Sequence, residues 1–176
     1  GWVAGDLETP ARQARNRVIG TGAVVISVDY RGPPETRFPG AFEDAFAAVR
    51  DVVGRISEFG GDLSRVGVAG DSAGGNLAAT AALACRDAGI ALAGQLLVYP
   101  ANDVAAHYAA PAHHATFPSR ADTAHGQSLS TAVLALFLGS HAANRQPGSH
   151  LTVLPAPPPT LTHTTPACLP PHCAAP

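Results

Sequence analysis

At 176 residues the chain is sized for one domain, and a hydrophobic content of 46% is enough to build a core. A formal net charge of −2, with no basic patch interleaved with aromatics, gives no sign of a nucleic-acid or acidic-substrate partner, and there is no run of about 18 apolar residues to span a bilayer. Three cysteines do not make a disulfide framework at this length, and with no export leader in view a cytoplasmic location is the default expectation.

Gly1-Trp2-Val3-Ala4-Gly5-Asp6 reads as a loop. Thr9 to Arg17 carries a threonine cap, a proline in the first turn and several helix formers, which predicts a short helix. Ala23-Val24-Val25-Ile26-Ser27-Val28 is a continuous β-branched run, the pattern of a parallel strand buried on both faces. Asp29-Tyr30-Arg31 ends that run, and Pro33, Pro34 and Pro39 around Glu35 force a loop. Phe42, Phe46, Val49, Val53 and Ile56 then recur at spacings of three and four, so an amphipathic helix is expected over Ala41 to Phe59, its apolar face in the core and its end set by Gly60-Gly61. Val66 to Ala69 is the next strand, Leu77 to Arg86 an alanine-rich helix, and Leu96-Leu97-Val98-Tyr99 a third strand closed by Pro100. Strands and helices alternating at these distances imply a parallel sheet with right-handed crossovers.

The chemistry concentrates in Gly70-Asp71-Ser72-Ala73-Gly74-Gly75-Asn76, where an apolar strand runs into a serine fenced by glycines and then into a helix. A serine on so sharp a turn is strained, and small residues two before and two after it, here Gly70 and Gly74, let strand and helix approach. The turn presents the Ser72 hydroxyl above the sheet edge, while the helix start offers free N–H groups and the positive end of its dipole to a developing anion. The N–H of Ala73 is the natural first donor to such an oxyanion, and Asp71 reads as a structural neighbour. A glycine-rich turn can also cradle a phosphate, but neither G-x-G-x-x-G nor G-K-[ST] spacing is present.

This stretch, together with Gly1-Trp2-Val3, Asp29-Tyr30-Arg31 followed by Pro34-Glu35, and Tyr99-Pro100, resembles the hormone-sensitive-lipase-like (GDXG) esterases over Gly1 to about Asp103. The resemblance implies a partial α/β-hydrolase fold and a serine carboxylesterase or lipase acting on a small ester. It implies Ser72 as nucleophile, Ala73 and Gly1 at the oxyanion hole, and Gly70, Asp71, Gly74 and Gly75 as structural residues around the site. It also implies a scaffolding role for Arg31 and Glu35, with no cofactor and no metal. In the family a His-Gly-Gly-Gly-Trp loop supplies oxyanion donors, and of its glycines only Gly1 is retained. Loss of the others is expected to cost about 3 kcal/mol or more of transition-state stabilisation. Opening on Gly1 in mid-motif, the chain is expected to be truncated at its N-terminus.

Beyond residue 104 the character changes. Twelve of the thirteen carboxylates lie at or before Asp103, all eight histidines lie at or after His107, and nine of the sixteen prolines fall between Pro147 and Pro176. The organisation read from this is a hydrolase core at 1–104, an irregular stretch at 105–139 with one possible helix at Leu129 to Leu138, and a disordered tail at 140–176. Cys168 and Cys173 stand near His163 and His172 in a proline-rich setting without finger spacing, so zinc is not expected. A serine needs a histidine base and a carboxylate to orient it, in the chain order Ser, Asp or Glu, His. The family's Asp-Pro-Leu segment and later histidine are not found, and Asp103 or Asp122 with His125 or His141 have the order without the strand ends that would position them. The expectation is therefore a serine ester hydrolase lacking its acid and histidine. The alternatives are an inactive fragment and a Rossmann-type small-molecule binding module.

Overall fold

The computed structural model describes Trp2, Val3, residues 11–102 and, beyond them, Val133, Leu136, Phe137 and Ser140. Its elements are helix α1 (Ala11–Thr21), helix α2 (Gly40–Gly54), a 3-10 turn at Leu63–Arg65, strand β1 (Gly67–Asp71), helix α3 (Ala73–Asp87) and strand β2 (Gly94–Val98). Of the expected stretch at 105–139, Val133, Leu136 and Phe137 are helical, within the helix expected at Leu129 to Leu138, and Ser140 is helical as well; the remainder of 105–139 and 140–176, and the threonine cap at Thr9, lie outside the described residues.

The centre is the β1–α3–β2 unit. The two strands run parallel in the register Gly67 to Gly94 through Asp71 to Val98, as the crossover helix between them requires. α3 packs against both strands and against α2. Its composition explains how: Ala73, Ala78, Ala79, Ala81 and Ala84 are all buried, and alanine lets a helix axis come close to its neighbours on several sides. Thr80, buried at the same level, satisfies its hydroxyl within the helix by donating to the carbonyls of Asn76 (3.0 Å) and Leu77 (3.1 Å). Cys85 is fully buried, and burial pushes its thiol above the ordinary range.

Helix α2 stops at Gly54, short of the expected Phe59. Arg55 closes it by donating to the Asp51 carbonyl (3.0 Å), and the next residues form tight turns: Glu58 to Arg55, Phe59 to Ile56 and Gly60 to Ser57, before Gly60 at φ +69 reverses the chain. Phe42 and Phe46 stack at 6.3 Å with Arg50 over the latter ring, and Arg55 lies over Phe59. Phe42, Phe46, Val49, Val53 and Ile56 are half-buried rather than the fully covered core expected of them.

The largest departure is at Ala23 to Val28. No strand forms there; residues 22–32 carry no regular structure, and Val24, Ile26 and Val28 are 59%, 41% and 39% exposed. The described sheet thus has two strands where three were expected. A cavity of about 1090 Å³, lined by residues 23–29, by Val49 and Val52 of α2, by Ile56 in the turns that follow it and by β1, separates the run from the sheet, and among the described residues neither facing edge has a ladder partner. That gap also explains the half-burial of α2.

Candidate active site

β1 ends at Asp71, and the next residue departs from every strand and helix geometry: Ser72 has φ 53 and ψ −116, conformations a side chain rarely tolerates. Its backbone groups are nonetheless all used. The N–H donates to the Val98 carbonyl (2.9 Å), extending the strand pairing by one residue, and the carbonyl accepts from Asn76 N–H (3.1 Å) and Ala101 N–H (3.2 Å). These bonds offset a strain of about 1–3 kcal/mol.

Ser72 stands at the N-cap of α3, where a serine ordinarily spends its hydroxyl on the N–H of the second or third helical residue; here it makes no such cap. The oxygen is therefore not consumed as a helix cap. Ala73, the first residue of α3, is buried, and its N–H belongs to the opening turn that lacks intrahelical acceptors. Hydroxyl and donor are therefore adjacent at the positive end of a fifteen-residue helix.

The glycines divide in their roles. A Cβ on Gly70 would collide with the carbonyl of Gly74, so that position admits no side chain. A Cβ on Gly75 would stand 2.9 Å from Pro100 Cβ and 3.2 Å from the Gly70 carbonyl. Gly74 meets nothing within 4 Å among the described residues, which corrects the expectation that both residues flanking the serine by two are sterically forced. It is the backbone of Gly74 that needs Gly70 to be bare.

Asp71 is half-buried at the end of β1. Burial raises the phenol of Tyr30 above its ordinary value, with the negative charges of Asp71 and Asp29 adding to the rise. Arg31 is held by α2: its Nε donates to Asp44 Oδ2 (2.9 Å), its Nη2 to Oδ1 (2.7 Å), and its backbone N–H to Oδ2 (2.8 Å). That fork holds the Asp44 carboxyl below its usual value of 3.8. Glu35 lines the large cavity. Ser72 does not line it, so the cavity is a gap between layers and not the space facing the hydroxyl.

The structure thus gathers Gly70, Asp71, Ser72, Ala73, Gly74 and Gly75 at one sheet end, while Gly1, Asp103, Asp122, His125 and His141 lie outside the described residues. Asn76, Pro100, Ala101 and Asp44 are structural partners that sequence reasoning passed over. The first three are in or beside the quoted motifs, and only the parallel crossover, which stacks the end of β2 on the start of α3, shows that they meet.

The chain is similar to known esterases in sequence and in fold. The carboxylesterase NlhH of Mycobacterium tuberculosis is 48% identical over 101 residues, covering 57% of this chain and 32% of that protein, and the esterase LipI of the same organism has the same identity over 101 residues. The hyperthermophilic esterase from the archaeon Pyrobaculum calidifontis superposes with a TM-score of 0.72 at 37% identity, covering 80% of this chain and 44% of that one. The chain spans about a third of the length of the curated relatives it matches. Residues 1–169 match the family described by the alpha/beta hydrolase fold, and the chain belongs to that family.

Proposed function

We propose that the protein is an ester hydrolase that works through an acyl-enzyme at Ser72. The observation that carries the reading is the serine's conformation: a hydroxyl at a helix start, on a positive-φ residue, that is not spent as a cap. The names of the relatives, carboxylesterase and esterase, agree with a carboxylic ester as substrate. Ser72 Oγ attacks the ester carbonyl carbon as its proton passes to a base. The carbonyl oxygen takes the electron pair and is held at the Ala73 N–H, the alcohol leaves with a proton, and water then cleaves the acyl-serine. Ala73 is the residue assigned to the oxyanion side; Gly70 and Gly75 keep the turn tight enough to present both groups. The base in this chemistry is a histidine oriented by a carboxylate, and no histidine falls among the described residues.

Hydrolysis of p-nitrophenyl butyrate, followed by p-nitrophenol release in wild type and Ser72→Ala, tests the reading. A wild-type burst approaching one equivalent that vanishes in Ser72→Ala supports it. Equal release by the two proteins overturns it, and a folded chain that acylates without turning over assigns it the nucleophile half of the machinery alone.

A further inference from the structure

The strained serine is not supported by its own strand and helix alone. Three hydrogen bonds close a ring across the site: Ala101 N–H donates to the Ser72 carbonyl (3.2 Å), the Asn76 side-chain Nδ2 donates to the Ala101 carbonyl (3.0 Å), and Asn76 N–H donates to the Ser72 carbonyl (3.1 Å). Asn76 is buried at 2% exposure in the first full turn of α3, so its amide sits where water cannot replace a lost partner. The loop it grips is itself unusual. Tyr99, the residue after β2, has φ 38, and it follows Val98 as Ser72 follows Asp71, so these two positive-φ residues with side chains, the two found among the described residues, occupy corresponding places at the ends of the paired strands. Pro100 then abuts Gly75, and Ala101 turns both its backbone groups to the ring.

We propose that Asn76 is a positioning residue: its side-chain amide clamps the loop after β2 onto the start of α3 and thereby holds Ser72 in the conformation that presents its hydroxyl. The clamp rests on the reading of Ser72 as nucleophile. Physically, a strained conformation persists only where its surroundings over-determine it, and among the described residues the Ala101 bond is the one support of the Ser72 carbonyl from outside α3. Ala101 can make it only while its own carbonyl is anchored. Without the Asn76 amide, the loop regains freedom and the serine relaxes toward an ordinary N-cap, where its hydroxyl turns to the helix N–H groups.

The test combines two readouts on the full chain: hydrogen exchange at the Ala101 amide, and the rate of covalent labelling by a fluorophosphonate, resolved into its saturating rate and half-saturating concentration. The variants are Asn76→Ala and the milder Asn76→Ser, whose short hydroxyl bonds back to its own helix as that of Thr80 does. Thr80→Val is the control, a loss of buried hydrogen bonds one turn along α3 that leaves the ring intact. The expected result is Ala101 exchange about tenfold faster in both Asn76 variants, with the saturating labelling rate down about 10–100-fold and the half-saturating concentration unchanged. Thr80→Val lowers the melting temperature and changes neither readout. Asn76 variants that keep Ala101 protected, or that label at the wild-type rate, overturn the clamp. If wild type itself is not labelled, the reading of Ser72 as nucleophile fails, and the exchange at Ala101 alone decides whether Asn76 holds the loop.

Discussion

Gly70 and Gly74 lie so close across the turn that a methyl group on the first has no room beside the carbonyl of the second, whereas a methyl on Gly74 meets nothing among the described residues. The sequence shows two glycines placed symmetrically about Ser72; the structure makes only one of them obligatory.

That asymmetry is measurable. Gly70→Ala drives Cβ into backbone that cannot yield without moving α3, and it is expected to destabilise the fold by about 3 kcal/mol or more and to abolish reaction at Ser72. Gly74→Ala, at the second position of a helix, is expected to be neutral or to stabilise by up to about 1 kcal/mol. Urea unfolding of the two variants checks both, and equal losses would contradict the assigned geometry.

The backbone of Ser72 supplies a second prediction. With φ 53 and ψ −116 the serine stores about 1–3 kcal/mol that glycine would not, against about 0.5–1 kcal/mol for the extra freedom of glycine when unfolded. Ser72→Gly is therefore expected to melt at or above the wild-type temperature, while Ser72→Ala, which keeps Cβ and the strain, melts at or below it. The order of the two melting temperatures is the readout.

The Arg31 fork on Asp44 gives a pH dependence with a definite sign. Because the carboxyl is held below its ordinary value of 3.8 in the folded protein, its contribution is complete above that value and is lost as pH falls through the depressed folded value. Stability measured at about pH 7 and about pH 3 should fall more steeply for wild type than for Asp44→Asn. Parallel losses would place the acid sensitivity elsewhere.

The apolar run at Val24, Ile26 and Val28 bears on solution behaviour. Exposed β-branched side chains on a run that pairs with no strand among the described residues are a template for association. Ile26→Lys is expected to reduce self-association in sedimentation velocity while lowering the unfolding free energy by no more than about 1 kcal/mol, since the residue is 41% exposed.

The β1–turn–α3–β2 unit was legible because its information is local: an apolar run, a glycine-fenced serine, a small-residue helix and a second apolar run closed by proline, all within Val66 to Pro100. The run at Ala23 to Val28 has equally strong strand composition, yet a strand exists only where a neighbour completes its hydrogen bonds, and composition does not report whether one is there. Helix α2 ended early for a similar reason. Its period of apolar residues continues to Phe59, but Gly54 and the Arg55 closure break the backbone pattern before the side-chain pattern stops. The Asn76 to Ala101 bond joins residues 25 apart in sequence, and it became visible only once the crossover brought the end of β2 onto the start of α3.

The most direct test is mass spectrometry of the intact chain after treatment with a fluorophosphonate, followed by peptide mapping. One adduct per chain on Ser72, absent from Ser72→Ala and from protein unfolded in urea, is the predicted result. No adduct on the folded chain, or the same labelling before and after unfolding, would show that the turn does not activate its serine.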